Sequence, residues 1–194
     1  MEENKLVQQS IEGDEEAFGA LVKKYKTKVF NMAYSFTRDR EAADDLAQEV
    51  FIKVYYALGK FKFKSGFGTW LYRIAVNHIK DHLRKHKKEI HISFDDVHQE
   101  SKLSQDAADR REDAREKERM IKLLHQALQS LPQKHRIILT LRDIQGHSYE
   151  DIASILDLSP GTVDSRLHRA RKMLREKIAP FLSQEGGYHE MHYS

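Results

Sequence analysis

Between Pro160 and Lys177 the chain places six cations, Arg166, Arg169, Arg171, Lys172, Arg175 and Lys177, against two acids, Asp164 and Glu176. Cations at such close steps hold phosphate, so the chemistry they suit is nucleic-acid binding. A second basic station, Lys60 to Glu89, carries nine cations and two acids. Its first part, Phe61-Lys-Phe-Lys-Ser-Gly-Phe-Gly-Thr-Trp70, interleaves the cations with rings and is followed by Tyr72 and Arg73. Aromatic faces are worth about 1–3 kcal/mol per unstacked base, and neighbouring lysines hold the backbone. That composition suits an opened strand, although a core role for Trp70 and the phenylalanines competes with it. From His91 to Glu118 nine acids outnumber five bases, so the two basic stations are separated by an acidic stretch.

Other chemistries find little support. The chain has no cysteine, which removes thiolate nucleophiles, thiolate metal sites and disulfides. His78, His82 and His86 recur at four-residue steps on one helix face, but no acidic ligand lies at matching spacing, and a polar face beside lysines accounts for them. His189, Glu190 and His192 do not form a zinc-protease pattern. No phosphate-binding glycine loop or nucleophile elbow is present, and the acid pairs Asp44-Asp45 and Asp95-Asp96 fall on surface positions. The expectation is a protein that is not an enzyme, with no cofactor, no metal and no small-molecule substrate. No run approaches the roughly 18 apolar residues of a membrane span, and Met1-Glu-Glu-Asn-Lys5 lacks the form of a signal peptide, so a cytoplasmic location is expected.

The elements that position these residues are helices. Nine glycines and three prolines in 194 residues leave few strand-turn signals, and 40% apolar content supports small cores. The fold class is all-α: two small helical domains joined by a flexible acidic linker. From Glu15, Phe18, Leu21, Val22, Tyr25, Val29, Met32 and Phe36 follow the helical period. Ala43, Leu46, Val50, Phe51, Val54, Tyr55 and Leu58 mark a second helix that stops at Gly59. A third, about Thr69 to Lys88, buries Leu71, Ile74, Ala75, Ile79 and Leu83. The boundaries are a first domain at 5–90, a linker at 91–118 that becomes helical toward its end, a second domain at 119–183 and a tail at 184–194. In the second domain, Pro132 fits the first turn of a helix that stops near Gly146.

The strongest local signal is Ser148-Tyr-Glu-Asp-Ile-Ala-Ser-Ile-Leu-Asp-Leu-Ser-Pro-Gly-Thr-Val163 and the basic helix after it. Ser148 and Asp151 form a capping box with Asp in the acid position, Asp157-Leu-Ser159 makes a turn, and Ser159-Pro160 starts the next helix. Short helix, tight turn and longer helix make a DNA-reading helix-turn-helix. With the Val163, Leu167, Ala170 and Leu174 seam near 10°, Ser165, His168, Arg169 and Lys172 fall at roughly 140–240°. Ser165, His168 and Arg169 are therefore the candidates for base reading, and Arg166, Arg171, Lys172 and Arg175 for phosphates.

Asp44-Asp-Leu-Ala-Gln-Glu-Val-Phe-Ile-Lys53, Thr69-Trp-Leu-Tyr-Arg-Ile-Ala-Val-Asn77, Ser148-Tyr-Glu-Asp-Ile-Ala153 and Gly161-Thr-Val-Asp-Ser-Arg-Leu-His-Arg-Ala-Arg171 stand in this order. Together they resemble the bacterial extracytoplasmic-function (group IV) sigma factors, in particular the RpoE-like envelope-stress type, over about Leu6 to Leu182. The resemblance implies a sigma region 2 domain and a sigma region 4 domain. By that resemblance Asp45, Gln48, Glu49 and Lys53 face the β′ clamp helices of RNA polymerase core. Phe61, Lys64, Ser65, Trp70, Arg73 and Asn77 capture the −10 element, with Lys80, Arg84 and Lys85 on its backbone. The second domain reads the −35 element and packs on the β flap. It also implies promoter DNA as partner and an anti-sigma factor, often membrane-anchored. A linker of about 28 residues spans up to roughly 95 Å, enough for two sites about 70 Å apart. Asp164 stands where members often carry Lys or Arg; its carboxylate repels phosphate and can accept from a cytosine amino group. The other reading of the same residues is a stand-alone helix-turn-helix regulator binding a palindrome as a dimer.

Overall fold

The computed structural model describes residues 2–86 and 108–184, with side chains at 2–85 and 119–181. Every element among the described residues is helical. The first module holds α1 (Glu2–Ile11), α2 (Glu15–Thr37), α3 (Arg40–Ala57), a 3₁₀ turn (Leu58–Lys60) and α4 (Phe67–His86). The second holds α5 (Ala108–Gln129), α6 (Gln133–Leu139), a π turn (Thr140–Ile144), α7 (Tyr149–Leu156) and α8 (Pro160–Gln184).

Short-range chemistry sets these boundaries. The Asp14 carboxylate accepts from the Ala17 N–H at 3.0 Å and that of Asp39 from the Ala42 N–H at 2.9 Å, starting α2 and α3. Between them Arg38 takes a left-handed φ of 60° and its N–H donates to the Tyr34 carbonyl, closing α2. The two helices therefore form a hairpin. Leu21, Tyr25, Val29, Met32 and Phe36 of α2 meet Ala43, Leu46, Val50 and Val54 of α3 and Phe67, Leu71, Ala75 and Ile79 of α4 in one buried core. Helix α4 comes so close to α2 that a Cβ on Gly68 would lie 2.8 Å from the Tyr25 hydroxyl oxygen. That hydroxyl in turn donates to Glu3 of α1 at 2.8 Å.

In the second module, the Ser148 hydroxyl accepts from the Asp151 N–H at 3.0 Å and donates to its carboxylate at 2.9 Å. This is the reciprocal cap expected from the sequence. Asp157 turns left-handed at φ 55° to end α7, Ser159 accepts from the Thr162 N–H at 3.3 Å, and Pro160 is the first residue of α8. Val163, Leu167 and Ala170 are buried against Ile152 and Ile155.

Some expectations shift. Pro132 is extended and precedes α6 instead of lying in its first turn; its carbonyl accepts from the His135 and Arg136 N–H groups. Helix α1 is additional, since Leu6, Val7 and Ile11 alone carry no clear period, yet Val7 is fully buried. Helix α5 begins at Ala108, so the end of the stretch read as linker is helical as expected, since Ala, Arg, Glu and Lys favour a helix even without an apolar stripe. The rest of that linker, Lys87 and Lys88 of the expected third helix, and the tail after Gln184 lie outside the described residues.

The two modules touch. Gln129 donates to the Ser35 and Phe36 carbonyls at 3.2 and 3.4 Å, and Gln145 donates to the Lys28 carbonyl at 3.0 Å. Arg136, only 8% exposed, lies over the Phe36 ring at 4.7 Å and donates to Gln129. Helix α7 lies against α4.

Candidate nucleic-acid interface

On α8, the buried seam leaves His168, Arg169 and Lys172 exposed on the opposite face and Ser165 and Arg166 partly exposed. The Arg169 side chain folds back along the helix, Nε donating to the Ser165 carbonyl at 3.2 Å and Nη2 to its hydroxyl at 3.3 Å. Its guanidinium thus sits toward the N-terminal end of α8, where base edges are reached. Arg171, expected on phosphate, is exposed and also carries an ion pair. Its Nη2 and Nε meet the two oxygens of Asp143 at 2.6 and 3.3 Å, a fork that ties α8 to the π turn and holds the guanidinium more firmly charged.

On α4, Arg73, Asn77, Lys80 and Arg84 recur at steps of four, three and four, one stripe on the helix surface. Asn77, Arg84 and Lys85 are exposed. Arg84 pairs with Asp81 at 3.1 Å. The Lys80 ammonium is pushed below its ordinary pKa by burial and then by Arg166 of α8, which places cations of both modules near each other. Arg73 is already engaged: its Nη2 donates to the Ser154 carbonyl at 2.6 Å and to the Ser154 hydroxyl at 3.1 Å.

The loop before α4 divides its rings in a way the sequence did not settle. Phe61 is 6% exposed and packs against Phe63, Trp70 and Phe67 at centroid distances of 4.8, 5.1 and 6.0 Å. It forms the floor under the loop. Phe63, at a left-handed φ of 54°, is the ring presented to solvent, beside exposed Lys64 and part-exposed Ser65. Trp70 is half-buried between these roles.

On α3, Asp45, Gln48, Glu49 and Lys53 all stand exposed. Gln48 donates to Asp44 at 2.8 Å, and Glu49 meets His78 Nε2 of α4 at 2.6 Å. Next to them lies an open groove of about 870 Å³ lined by Phe30, Arg40, Asp44, Gln48 and Phe51. Ile52, Tyr55 and Tyr56 continue the surface as an exposed apolar shoulder, Tyr56 at 80% exposure. Tyr55 was expected to face the core; it lies edge-on to Phe18 at 5.1 Å with half its surface in solvent. Among the described residues no three His, Asp or Glu side chains gather as a metal site, and no helix is long and apolar enough to cross a membrane.

Comparison with known proteins matches residues 21–89 to Sigma-70 region 2 and residues 121–174 to Sigma-70, region 4. The chain is 37% identical over 187 residues to the RNA polymerase sigma-H factor of Pseudomonas aeruginosa, covering 94% of this chain and 97% of that protein. It is 35% identical over 181 residues to the ECF RNA polymerase sigma-E factor of Escherichia coli K12, covering 91% and 94%. Among solved structures, CnrH in complex with the cytosolic domain of CnrY superposes with a TM-score of 0.65 at 28% identity, covering 93% of this chain and 97% of that one. The sigma factor RpoE in complex with the anti-sigma factor NepR from Bartonella quintana gives 0.63 at 25% identity, covering 84% and 96%.

Proposed function

The chain belongs to the extracytoplasmic-function sigma factors of the sigma-70 family, and from that membership we propose which of its surfaces carries each step of promoter recognition. A sigma factor binds RNA polymerase core and directs initiation at specific promoters. The stand-alone regulator reading is thereby set aside.

The assignment of surfaces rests on one observation. A single chain presents a capped helix-turn-helix with an exposed reading face and, on a separate module, a cationic stripe next to a ring-bearing loop. Helix α8 enters the −35 major groove with Ser165, His168 and Arg169 toward base edges and Arg166 and Lys172 toward phosphates. On α4, Arg73, Asn77, Lys80, Arg84 and Lys85 follow the opened −10 strand, with Lys64, Ser65 and Trp70 around a flipped base and Phe61 shaping its floor. Flipping costs a few kcal/mol, which stacking and a fitted pocket offset. Residues Asp45, Gln48, Glu49 and Lys53, together with the neighbouring groove and apolar shoulder, form the core-facing surface. The β flap receives the second module. No catalytic role falls to the chain itself, and it works in the cytoplasm. By likeness to CnrH and RpoE, each solved with a partner, it has an anti-sigma partner that holds it inactive.

The test is the double substitution Gln48→Ala/Glu49→Ala. It is expected to weaken capture of core in a pull-down and to reduce run-off transcription in a way that excess sigma restores. Undiminished capture would overturn the placement of the core-facing surface.

A further inference from the structure

Three described residues other than glycine take a left-handed φ: Arg38, Phe63 and Asp157. Arg38 and Asp157 end α2 and α7, where that conformation closes a helix. Phe63, at 54°, caps no helix. A bulky L-residue is rarely found there, because its Cβ crowds the backbone, and glycine would adopt the same turn without strain. Burial does not offset the strain. Phe61 already packs on Phe67 and Trp70 at 6% exposure, whereas Phe63 remains 43% exposed. A strained backbone that turns an apolar ring toward water is unfavourable on both counts in the free chain. Such a residue is explained by what it binds, not by the fold.

The surroundings of the ring define the ligand. Phe63 leans on Phe61 at a centroid distance of 4.8 Å with 56° between the planes, and Phe61 rests in turn on Phe67 and Trp70. The outer ring is therefore supported from below by packed rings and open above. Lys62 and Lys64, both exposed, flank it in the chain, and part-exposed Ser65 follows. An aromatic face between two cations suits an unpaired base with its phosphates held alongside. A purely apolar partner would instead cover the two ammonium groups without pairing them. We propose that Phe63 is a second stacking platform for the opened strand: an unpaired base beside the flipped one lies on its outer face, while Lys62 and Lys64 hold the adjoining phosphates. The inference rests on the reading of α4 and the loop before it as the holder of the −10 strand. Every base has a π face, so this platform prolongs strand capture without adding a sequence preference.

The test uses holoenzyme reconstituted from core and the full chain, on a promoter defined by chain-dependent transcript starts. The lifetime of its open complexes is read after a heparin challenge. One base stack is worth about 5- to 150-fold. Phe63→Leu keeps apolar bulk but has no π face, and it is expected to shorten the lifetime at least about fivefold whichever base occupies the stacked position. Phe63→Gly, which suits the left-handed φ, is expected to do the same, and Phe63→Tyr to stay within about twofold of the parent. Circular dichroism verifies that the variants keep their helices. 5-Iodouracil placed at successive positions of the non-template strand is expected to cross-link to Phe63 at one position next to the flipped base. Complexes of Phe63→Leu and Phe63→Gly that live as long as the parent's, a loss confined to one base, or no cross-link to Phe63 at any position overturns the proposal and leaves the strand-opening role in place. A parent holoenzyme that opens no promoter overturns that role and the proposal with it.

Discussion

Arg169 and Arg171 lie two residues apart on α8, and the structure predicts opposite consequences for their loss. The Arg169 guanidinium is exposed and held toward the start of the helix by Ser165. Arg169→Ala removes a base-edge contact worth about 1–3 kcal/mol, or roughly a 5- to 150-fold change in preference at one −35 position. The fold loses nothing, because Val163, Leu167 and Ala170 on the other face are untouched. Arg171 instead forms a two-point ion pair with Asp143, both partners about two-fifths exposed. Its loss costs stability by no more than about 1 kcal/mol and leaves the preference among −35 sequences in place. The assay is single-round transcription by reconstituted holoenzyme on a promoter and its single-base −35 variants, with thermal melting of each protein alongside. Arg169→Ala is expected to flatten the profile at one position and leave the melting temperature in place. An even loss across all variants would move Arg169 to the phosphate class and refute the orientation given to α8.

Gly68→Ala is expected to destabilise the first module by about 1–3 kcal/mol, since the new methyl displaces the Tyr25 ring from Glu3; an unchanged urea midpoint would show that α2 and α4 can part without cost. Burial pushes His135 and His147 below their ordinary value of 6.5, with Lys134 adding to the first and Lys28 opposing Asp151 at the second. Their neutral forms therefore favour the fold fully above about pH 6.5, and that stability is lost as pH falls through the lowered values. The melting temperature should drop between about pH 7.5 and about pH 5.5, and a flat profile there would contradict the burial of these rings. Asn77→Ala should weaken −10 opening, read as reduced permanganate reactivity of its thymines, while core capture stays normal; undiminished reactivity would take Asn77 out of the strand path.

The readable parts of this chain were those governed by neighbours in sequence. The Ser148–Asp151 cap, the Asp157 turn and the Val163–Leu167–Ala170 seam involve groups a few residues apart, and all stand where the pattern put them. What escaped depends on distant partners. Phe61 and Phe63 sit in identical Lys-flanked surroundings, and only the left-handed turn at Phe63 decides which goes inside. Arg171, expected on phosphate, is also paired with Asp143, 28 positions earlier, a partner that no local pattern marks. Val7 is buried although its helix has too few apolar residues to show a period. Contact between the modules was also invisible, because Thr69, Arg73, Gln129 and Gln145 are polar residues that nothing local marks as buried or paired.

The central claim is that one chain selects a promoter at two separate elements once core polymerase carries it. Purified core and this chain, incubated with fragmented genomic DNA and followed by sequencing of transcript 5′ ends, test it in one step. Starts are expected downstream of two shared motifs spaced by about two helical turns, absent with core alone. No chain-dependent starts on any fragment, or starts sharing only one motif, would contradict the account.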